Sequence, residues 1–485
     1  MSHSQPRIAI IGTGFGGIGA AVQLRAAGFT QITLFEKADD VGGVWRDNTY
    51  PGAACDVPSH LYSFSFAPKR DWSRKFAGQA EILGYIRQCA RDFGIRPLVR
   101  FNTEVRGAEW HEARACWQLD TTTGPFEAEV LVSACGQLNR PTYPRLKGLE
   151  TFAGDSFHSA RWNHDVDLRG RRVAVIGSGA SAIQFVPEIA PGVDRLTLFQ
   201  RSAPYVIPKP DYAYPSALRR MLDKAPGVQR LSRGAQYLQH EARALGFTQY
   251  RELMKLFEWS FRRQLNRQVQ DPILRAKLTP DYPIGCKRIL ISNHYYAAMN
   301  RDNVHVETTA LAEAVPQGLV TDDGRLHPAD VLIYGTGFAA TDFLAPMRIV
   351  GRQGQDLNRA WQDGAEAYLG ITVSGFPNLF MLYGPNTNLG HNSIIFMLES
   401  QIAYLISGLR QMQQRGLKSL DVRTEVQTAF NLKLQSKAKD TIWDTGCTSW
   451  YKTADGKNTN NWPGFTFAYR QATRALRLKD YQEAA

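Results

Sequence analysis

RIAIIGTGFGGIGAA (Arg7–Ala21) and RVAVIGSGASAIQFV (Arg172–Val186) are two copies of one pattern. In each, an apolar run ends at a glycine, Gly12 or Gly177, and a second glycine follows at position 14 or 179. A stretch of helical spacing comes next, then a second apolar run, ITLFEKA in the first copy and LTLFQRS in the second. Strand, glycine turn, helix and strand in that order make a βαβ unit suited to a dinucleotide. Gly12 and Gly177 form the tight turn, and Gly14 and Gly179 let backbone approach a pyrophosphate. The third position, Gly17 or Ala182, lets the helix pack close to the strand. The helix N-terminus then offers free N–H groups and partial positive charge to the anion. A lone glycine pattern is a weak signal, but here each copy lies between its strand and its helix.

The second strands separate the two ligands. Glu36 stands 24 residues after Gly12, where an acid accepts hydrogen bonds from a ribose 2′-hydroxyl. The matching position of the second copy is Gln200, followed by Arg201 and Ser202. Loss of the acid and gain of a cation suit a 2′-phosphate, hence NADP at the second site, against the blander reading of Arg201 as a solvated strand-end charge. Two such sites in one chain most economically pass a hydride between a nicotinamide and a flavin. The fold class expected is α/β, with two Rossmann-like dinucleotide-binding domains, one for FAD and one for NADPH, and a helical insertion in the second.

The chain has 485 residues, 44% hydrophobic and 21% charged, an ordinary globular composition large enough for two or three domains. Glycine corners in LVSACGQLNRP (131–141) and VLIYGTGFAATD (331–342) each end an apolar strand and read as the crossings between the two domains. The expected division is therefore 1–141 with 340–485 for FAD and 142–210 with 282–339 for NADPH. Residues 211–281, rich in Leu, Arg and Gln at spacings of 3–4, form the helical insertion. Whether that insertion is a lid or plain packing stays open.

No apolar run approaches the ~18–20 residues that span a bilayer. The N-terminal apolar run leads straight into the glycine turn, so no signal peptide is expected. Six cysteines without a CxxC pair argue against a disulfide framework and a dithiol redox centre, and point to a reducing cytoplasm. The net charge of +12 is scattered, with no nucleic-acid-binding module, so nucleic acid is not an expected partner. No residues stand at metal-ligand spacing.

Candidates for chemistry lie outside the glycine turns. GGVWRDNTYPGAACD (42–56) is an irregular loop carrying Trp45 and ending in Asp56, placed to run along a flavin. PIGCKRIL supplies adjacent cations, Lys287 and Arg288, which in an extended segment point to opposite sides. From spacing alone a solvated surface pair is equally open. FAGDSFHSARWNHD (152–165) reads as neither a strand nor an amphipathic helix, yet carries His158 and Trp162 four apart.

That last stretch fits FxGxxxHxxxW, with Phe152, Gly154, His158 and Trp162, and resembles the signature of the type I Baeyer–Villiger monooxygenases. Residues 42–56 fit a second pattern of that family, [AG]GxWxxxx[FY]PGxxxD, in full. The resemblance covers nearly the whole chain and is weakest over 211–280; Asn163 departs from the Pro or Asp more usual after the Trp. It implies that Arg288 is the active-site arginine and Asp56 the carboxylate that holds it. Lys287 and Arg201 would bind the 2′-phosphate, and His158 and Trp162 would belong to an interdomain segment that responds to cofactor. Trp450 would be a mobile-loop residue near the nicotinamide, the plainer alternative being a buried Trp. The helix starting near Ser393 would aim its N-terminus at the flavin, with His391 and Asn392 in the pocket.

The implied reaction uses NADPH, FAD and dioxygen. A flavin C4a-peroxide attacks a ketone, and a tetrahedral adduct stabilised by Arg288 rearranges to an ester or lactone. Sulfoxidation is expected as a second activity. The nearest rival is a flavin-containing monooxygenase acting on amines or sulfides, whose signature tends to lack Trp at the 162 position. A more remote one is a non-catalytic nucleotide-sensing protein.

Overall fold

The apolar runs beside the two glycine turns become central strands of two parallel sheets in the computed structural model, which describes residues 5–484. The first sheet has the order Leu379–Met381, Val130–Ser133, Ile8–Ile11, Ile32–Phe35, Val99–Arg100. The second has the order Val304–Glu307, Arg195–Phe199, Arg172–Ile176, Val331–Tyr334, Asp155–His158. Every pairing within both is parallel. Strands buried on both faces read as unbroken apolar runs, as Ile8–Ile11 and Val130–Ser133 do.

The internal repeat is visible in the turns. Gly12 has φ +101° and Gly177 φ +102°, a conformation side chains disfavour. A β-carbon at Gly12 would lie 2.7 Å from the carbonyl oxygen of Ala134, and one at Gly177 would lie 2.5 Å from that of Gly335. The repeat is not perfect. In the first copy the helix Phe15–Ala26 follows Gly14 directly, whereas in the second a turn over 179–181 precedes the helix Ala182–Ile189. Gly17 sits so close that a β-carbon would fall 1.9 Å from the oxygen of Gly12. The later start of the second helix leaves room for the methyl of Ala182.

The chain passes between the sheets at residues 134–142 and 335–342, and these two segments run side by side. Pro141 and Phe338 form an antiparallel bridge, Thr142 N donates to Gly337 O (2.9 Å) and Ala339 N donates to Arg140 O (3.0 Å). Residues 152–165 are more regular than the sequence suggests, because Asp155–His158 is the edge strand of the second sheet, with Asp155 opposite Val331. Asp155 and Ser156 are exposed there, so the segment lacks the apolar alternation of a half-buried strand, and its pairing spans more than 170 residues of chain. Gly154 is obligatory at that edge, since a β-carbon would lie 2.2 Å from Asp330 O. His158 is buried, its Nδ1 accepts from Ala160 N (3.0 Å), and its ring meets Tyr143 and Phe338, one from each crossing segment.

The stretch read as a helical insertion contains the helices Ser216–Lys224, Pro226–Thr248, Met254–Gln268 and Pro272–Lys277. The second of these docks on residues beside the first sheet. Arg233 Nη1 donates to the carbonyls of His60 (2.7 Å) and Ser63 (2.8 Å), and the buried Glu241 carboxylate accepts from Asn392, Thr466 and Phe467. Among the described residues no helix is long and apolar enough to cross a membrane.

Burial lowers the pKa of four histidines, His60, His158 and His240 to about 4 and His391 to about 3. Such groups are held neutral when folded, so their contribution is complete above the unfolded value of about 6.5 and is lost as pH falls below it. The urea midpoint is expected to drop between pH 6.5 and 4.5. His158→Phe, which keeps the contacts with Tyr143 and Phe338, should flatten that slope; an unchanged slope would show that His158 does not carry it.

Candidate active site

The loop 42–56 connects the two nucleotide folds. At its start Gly42 N donates to Thr13 O (3.0 Å), inside the first glycine turn. Gly43 adopts φ +53°, and a β-carbon there would lie 3.1 Å from the Cα of Gly14, so the two glycine stretches lie back to back. After the short helix Val44–Asp47 the loop reaches the second fold. Tyr50 Oη donates to Gln184 Oε1 (2.9 Å), Gln184 Nε2 donates to Ala54 O (3.0 Å), and Thr49 Oγ1 meets His164 Nε2 (2.8 Å). Asp56 is thereby fixed at the junction.

Arg288 arrives from the other side, on the segment that follows the insertion, and its Nη2 donates to Asp56 Oδ2. Each side chain is about one-third exposed, and both face a cavity of about 480 Å³. The Asp56 charge holds Arg288 ionised, well above its ordinary pKa, against the opposing effect of burial. Burial alone would raise the pKa of Asp56, but Arg288 outweighs it and keeps the carboxylate below its usual range. Tyr383 and Tyr451 lie within electrostatic reach of Arg288, and burial pushes Tyr383 up to about 12 and Tyr451 higher. The result is a fixed cation in a wall of neutral hydroxyls.

The cavity extends from Arg288 and Asp56 past Trp45 to Gly12, Gly14 and Glu36. The Glu36 carboxylate accepts from Thr13 N (3.2 Å), Thr13 Oγ1 (2.6 Å) and Ala38 N (3.1 Å) and pairs with Arg46 (3.1 Å). Glycine cradle at one end and acid at the strand end are the donor and acceptor set for an adenine dinucleotide. Ser393 caps the helix Ile394–Arg415 through its Oγ, which accepts from Ile395 N (3.3 Å). Ile394 and Leu398 from its first turns line the same cavity.

The second glycine turn lies at Gly177, Gly179 and Ala182. Lys287 Nζ donates to Ser202 Oγ (3.0 Å) and stands 4.2 Å over the Tyr282 ring. Burial lowers the pKa of Lys287, and the adjacent charge of Arg201 lowers it further. Neither cation forms an ion pair among the described residues, and Asp281 is within electrostatic reach of Lys287 without bonding it; two like charges and a hydroxyl make a donor set that fits a phosphate. Lys287 and Arg288 do diverge as their adjacency suggests.

Trp450 packs at 4.4 Å on Tyr451, and its carbonyl accepts from Asn460 Nδ2 (3.1 Å). It is Tyr451, not Trp450, whose hydroxyl bears on Arg288. Asn392 lines the cavity and donates to Glu241 Oε2 (2.6 Å), whereas His391 turns away toward the helix Pro226–Thr248, its ring 6.3 Å from that of Phe247. The cysteines also differ from expectation: Cys286 and Cys447 form a disulfide between residues 161 apart. No local spacing signals such a pair. It ties the residue preceding Lys287 and Arg288 to the loop that carries Trp450 and Tyr451. Arg46, Tyr50 and Gln184 escaped the sequence reading; Arg46 and Tyr50 occupy positions inside the 42–56 pattern, while Gln184, Tyr383 and Lys209 carry no local signal.

Two dinucleotide folds meeting at a half-buried arginine–carboxylate pair suit a flavin- and nicotinamide-dependent monooxygenase, and the chain's relatives are of that class. The profile of the flavin-binding monooxygenase-like family matches residues 5–346. A Baeyer–Villiger monooxygenase of Streptomyces coelicolor is 48% identical over 482 residues, 99% of this chain and 93% of that protein. A Baeyer–Villiger monooxygenase of Pseudomonas aeruginosa is 47% identical, over 98% of this chain and 91% of its own. Among solved structures, cyclohexanone monooxygenase from Rhodococcus sp. Phi1 bound to NADP+ superposes with a TM-score of 0.88 at 28% identity, covering all of both chains. The chain belongs to the flavin-binding monooxygenase-like family and, within it, to the Baeyer–Villiger monooxygenases.

The disulfide is directly countable. The unfolded, unreduced chain should titrate with a thiol reagent at four cysteines, Cys55, Cys89, Cys116 and Cys135, and at six after reduction. Six before reduction would remove the Cys286–Cys447 bridge.

Proposed function

We propose that this chain uses NADPH and dioxygen to insert one oxygen atom next to a ketone carbonyl, giving an ester or lactone, and oxidises sulfides as a second activity of the same site. The observation that carries this is Arg288, held charged by Asp56 at the end of the flavin cavity and one residue from a phosphate-binding Lys287. FAD is assigned to residues 1–141 and 340–485, NADPH to 142–210 and 282–339, with 211–281 as the insertion between them. Gly12, Gly14, Gly17, Glu36 and Trp45 hold the first cofactor; Gly177, Gly179, Ala182, Arg201, Ser202 and Lys287 hold the second. When bound, FAD supplies the reduced ring that activates dioxygen and NADPH supplies the hydride.

The chain's own residues do the rest by electrostatics and exclusion. Arg288 donates hydrogen bonds to the oxygen on which negative charge develops, and it cannot surrender its proton. One preorganised donor of this kind is worth about 10²–10³ in rate. Asp56 orients the guanidinium and offsets its burial while no anion is present. Tyr383 and Tyr451, protonated and packed around the pair, keep water away from the reacting oxygen. The N-terminus of the helix Ile394–Arg415 favours negative charge at that end of the cavity. We place the protein in the cytoplasm, a compartment in which a disulfide such as Cys286–Cys447 is uncommon.

The test is recovery of ester by mass spectrometry from the purified yellow protein supplied with NADPH, oxygen and a panel of linear, cyclic and aromatic ketones. Hydrogen peroxide alone across that panel, with clean N-oxidation of amines, would overturn the proposal. In Arg288→Ala, flavin reduction by NADPH should persist while ester formation falls by about 10²-fold or more; full ester yield would remove the role of Arg288. Arg201→Ala should raise KM for NADPH by about tenfold or more and leave KM for NADH little changed, the loss expected of one charged hydrogen bond to phosphate. An equal effect on both cofactors would remove the phosphate from Arg201.

A further inference from the structure

The helix Pro226–Thr248 of the insertion is inside out. Its inner face carries Gln229, Arg233 and His240, and Arg233 Nη1 donates to the carbonyls of His60 (2.7 Å) and Ser63 (2.8 Å). At 3.6 residues per turn, Gly227, Leu231, Gly234, Ala235, Leu238 and Ala242 fall within about 100° of arc on the opposite side. All six are exposed, and no polar side chain interrupts the stripe. Leu231 is 75% exposed and Leu238 67%. Half-buried Leu245 continues the row. A surface helix ordinarily does the reverse, turning its apolar stripe to the core and its polar residues to water. The stripe is also the centre of a wider pattern, since nine of the fourteen large hydrophobic side chains exposed among the described residues belong to residues 212–273.

The border of the stripe is cationic. Arg230 precedes Leu231 and lies one turn before Gly234. The helix Ser216–Lys224, joined through Ala225 alone, exposes Met221 together with Arg220 and Lys224. Among the described residues every exposed charge on these two helices is positive. Residues 211–281 as a whole hold thirteen Lys and Arg against seven Asp and Glu, half of the chain's net charge of +12. Whatever covers the stripe must therefore be apolar at Leu231 and Leu238 and negative at their border. A second copy of the chain meets only the first condition, because it brings the same cations. The stripe is also too small for such a pairing: about 23 Å long and about 10 Å wide, it offers about 230 Å² per copy, against about 800 Å² per partner in a stable interface. A nucleic acid meets only the second condition. An anionic bilayer meets both, since its acyl boundary accepts single leucines without a matching surface and its phosphates face the flanking cations.

We propose that the outer face of the helix Pro226–Thr248 docks this protein reversibly on an anionic phospholipid surface. Leu231 and Leu238 enter the acyl boundary, and Arg220, Lys224 and Arg230 meet the headgroups. Gly234, Ala235 and Ala242 lack bulk, so the helix backbone can lie close to the surface between the two leucines. The helix lies on the bilayer and does not cross it, in keeping with the absence of a spanning helix among the described residues. The cytoplasmic leaflet carries the negative potential this needs, so docking agrees with the compartment proposed above. Through Arg233 the docked helix is fixed to His60 and Ser63, four and seven residues beyond Asp56. The proposal is independent of which substrate the site oxidises.

The experiment is co-sedimentation of the FAD-loaded enzyme with sucrose-loaded vesicles, of phosphatidylcholine alone or with about one-third phosphatidylglycerol. The protein should partition onto the phosphatidylglycerol vesicles and remain in solution with phosphatidylcholine. Leu231→Asp and Leu238→Asp should each lower the partition coefficient by about tenfold or more, the loss expected of one buried leucine. Arg220→Gln and Arg230→Gln should each lower it by about fivefold, and molar salt should weaken what remains. Flavin content and NADPH oxidation in solution confirm that each variant is folded. Leu432→Asp, which places the same charge at an exposed leucine on the helix Thr424–Lys439, should leave partition unchanged. No partition onto either vesicle, equal partition onto both, or an equal loss in Leu432→Asp would each overturn the proposal. A dimer in analytical ultracentrifugation that Leu231→Asp dissociates, with no vesicle binding, would assign the stripe to a second copy and overturn it as well.

Discussion

The ion pair between Arg288 and Asp56 joins two distant parts of the chain where the two nucleotide folds meet. Asp56 ends a loop that starts on the first glycine turn, and Arg288 follows the helical insertion of the second fold. An isolated guanidinium at that depth would be costly to desolvate, and so would an isolated carboxylate. Each is tolerable only with the other in place, so the pair sets how the two nucleotide folds sit around the cavity. Everything proposed for the chemistry depends on this: a cation that must serve a developing anion has to be charged, fixed and partly dry before the anion exists.

The surrounding structure can be understood as what keeps that pair in register. The loop 42–56 is clamped at both ends, by Gly42 on Thr13 and by Tyr50 and Ala54 on Gln184. On the Arg288 side the Cys286–Cys447 disulfide ties the segment to the loop carrying Tyr451. Lys287, one residue away, is turned to Ser202, where the proposal puts the second nucleotide. Occupation of that site by a phosphate would thus act on a residue covalently adjacent to Arg288, with the disulfide limiting how far the segment moves.

Local physics was legible in the sequence and long-range pairing was not. The two βαβ units were readable because each glycine has a steric reason within a few residues: Gly12 under Ala134, Gly177 under Gly335. The positions of Glu36 and Arg201 just past the strands Ile32–Phe35 and Arg195–Phe199 were readable because strand ends sit at fixed offsets from such turns. Lys287 and Arg288 diverge as their adjacency suggested, although Lys287 lies in a bend before the strand Leu290–Ile291 and not in the extended segment expected. The edge strand Asp155–His158 was missed because its exposed half is polar and its partner lies at Val331–Tyr334. The Cys286–Cys447 bridge and the approach of Tyr383, Tyr451 and Lys209 to the Asp56–Arg288 pair depend on tertiary placement alone. The resemblance placed His391 in the pocket beside Asn392, whereas its ring packs near Phe247 of the insertion, a contact no local spacing signals.

The four residues of the FxGxxxHxxxW segment make sense once their contacts are separated. Gly154 lets the edge strand pass against Asp330 O, where any side chain would collide. Phe152 packs into the small core on the outer side of the second sheet. His158 lies against Tyr143 and Phe338, one ring from each of the two crossing segments. Trp162 meets Phe185 at 5.3 Å, and Phe185 meets Tyr50 of the Asp56 loop at 6.1 Å. One short segment therefore touches the second sheet, both crossings and, through a single ring, the loop that bears the carboxylate. None of the four reaches the Asp56–Arg288 pair, so a chemical role for His158 as base is unsupported by its position. Packed interfaces shift between discrete arrangements rather than deforming smoothly. A segment that contacts the second sheet, both crossings and the Asp56 loop, and is held by a histidine too buried to ionise at neutral pH, is placed for packing between those parts and not for the transfer of a proton.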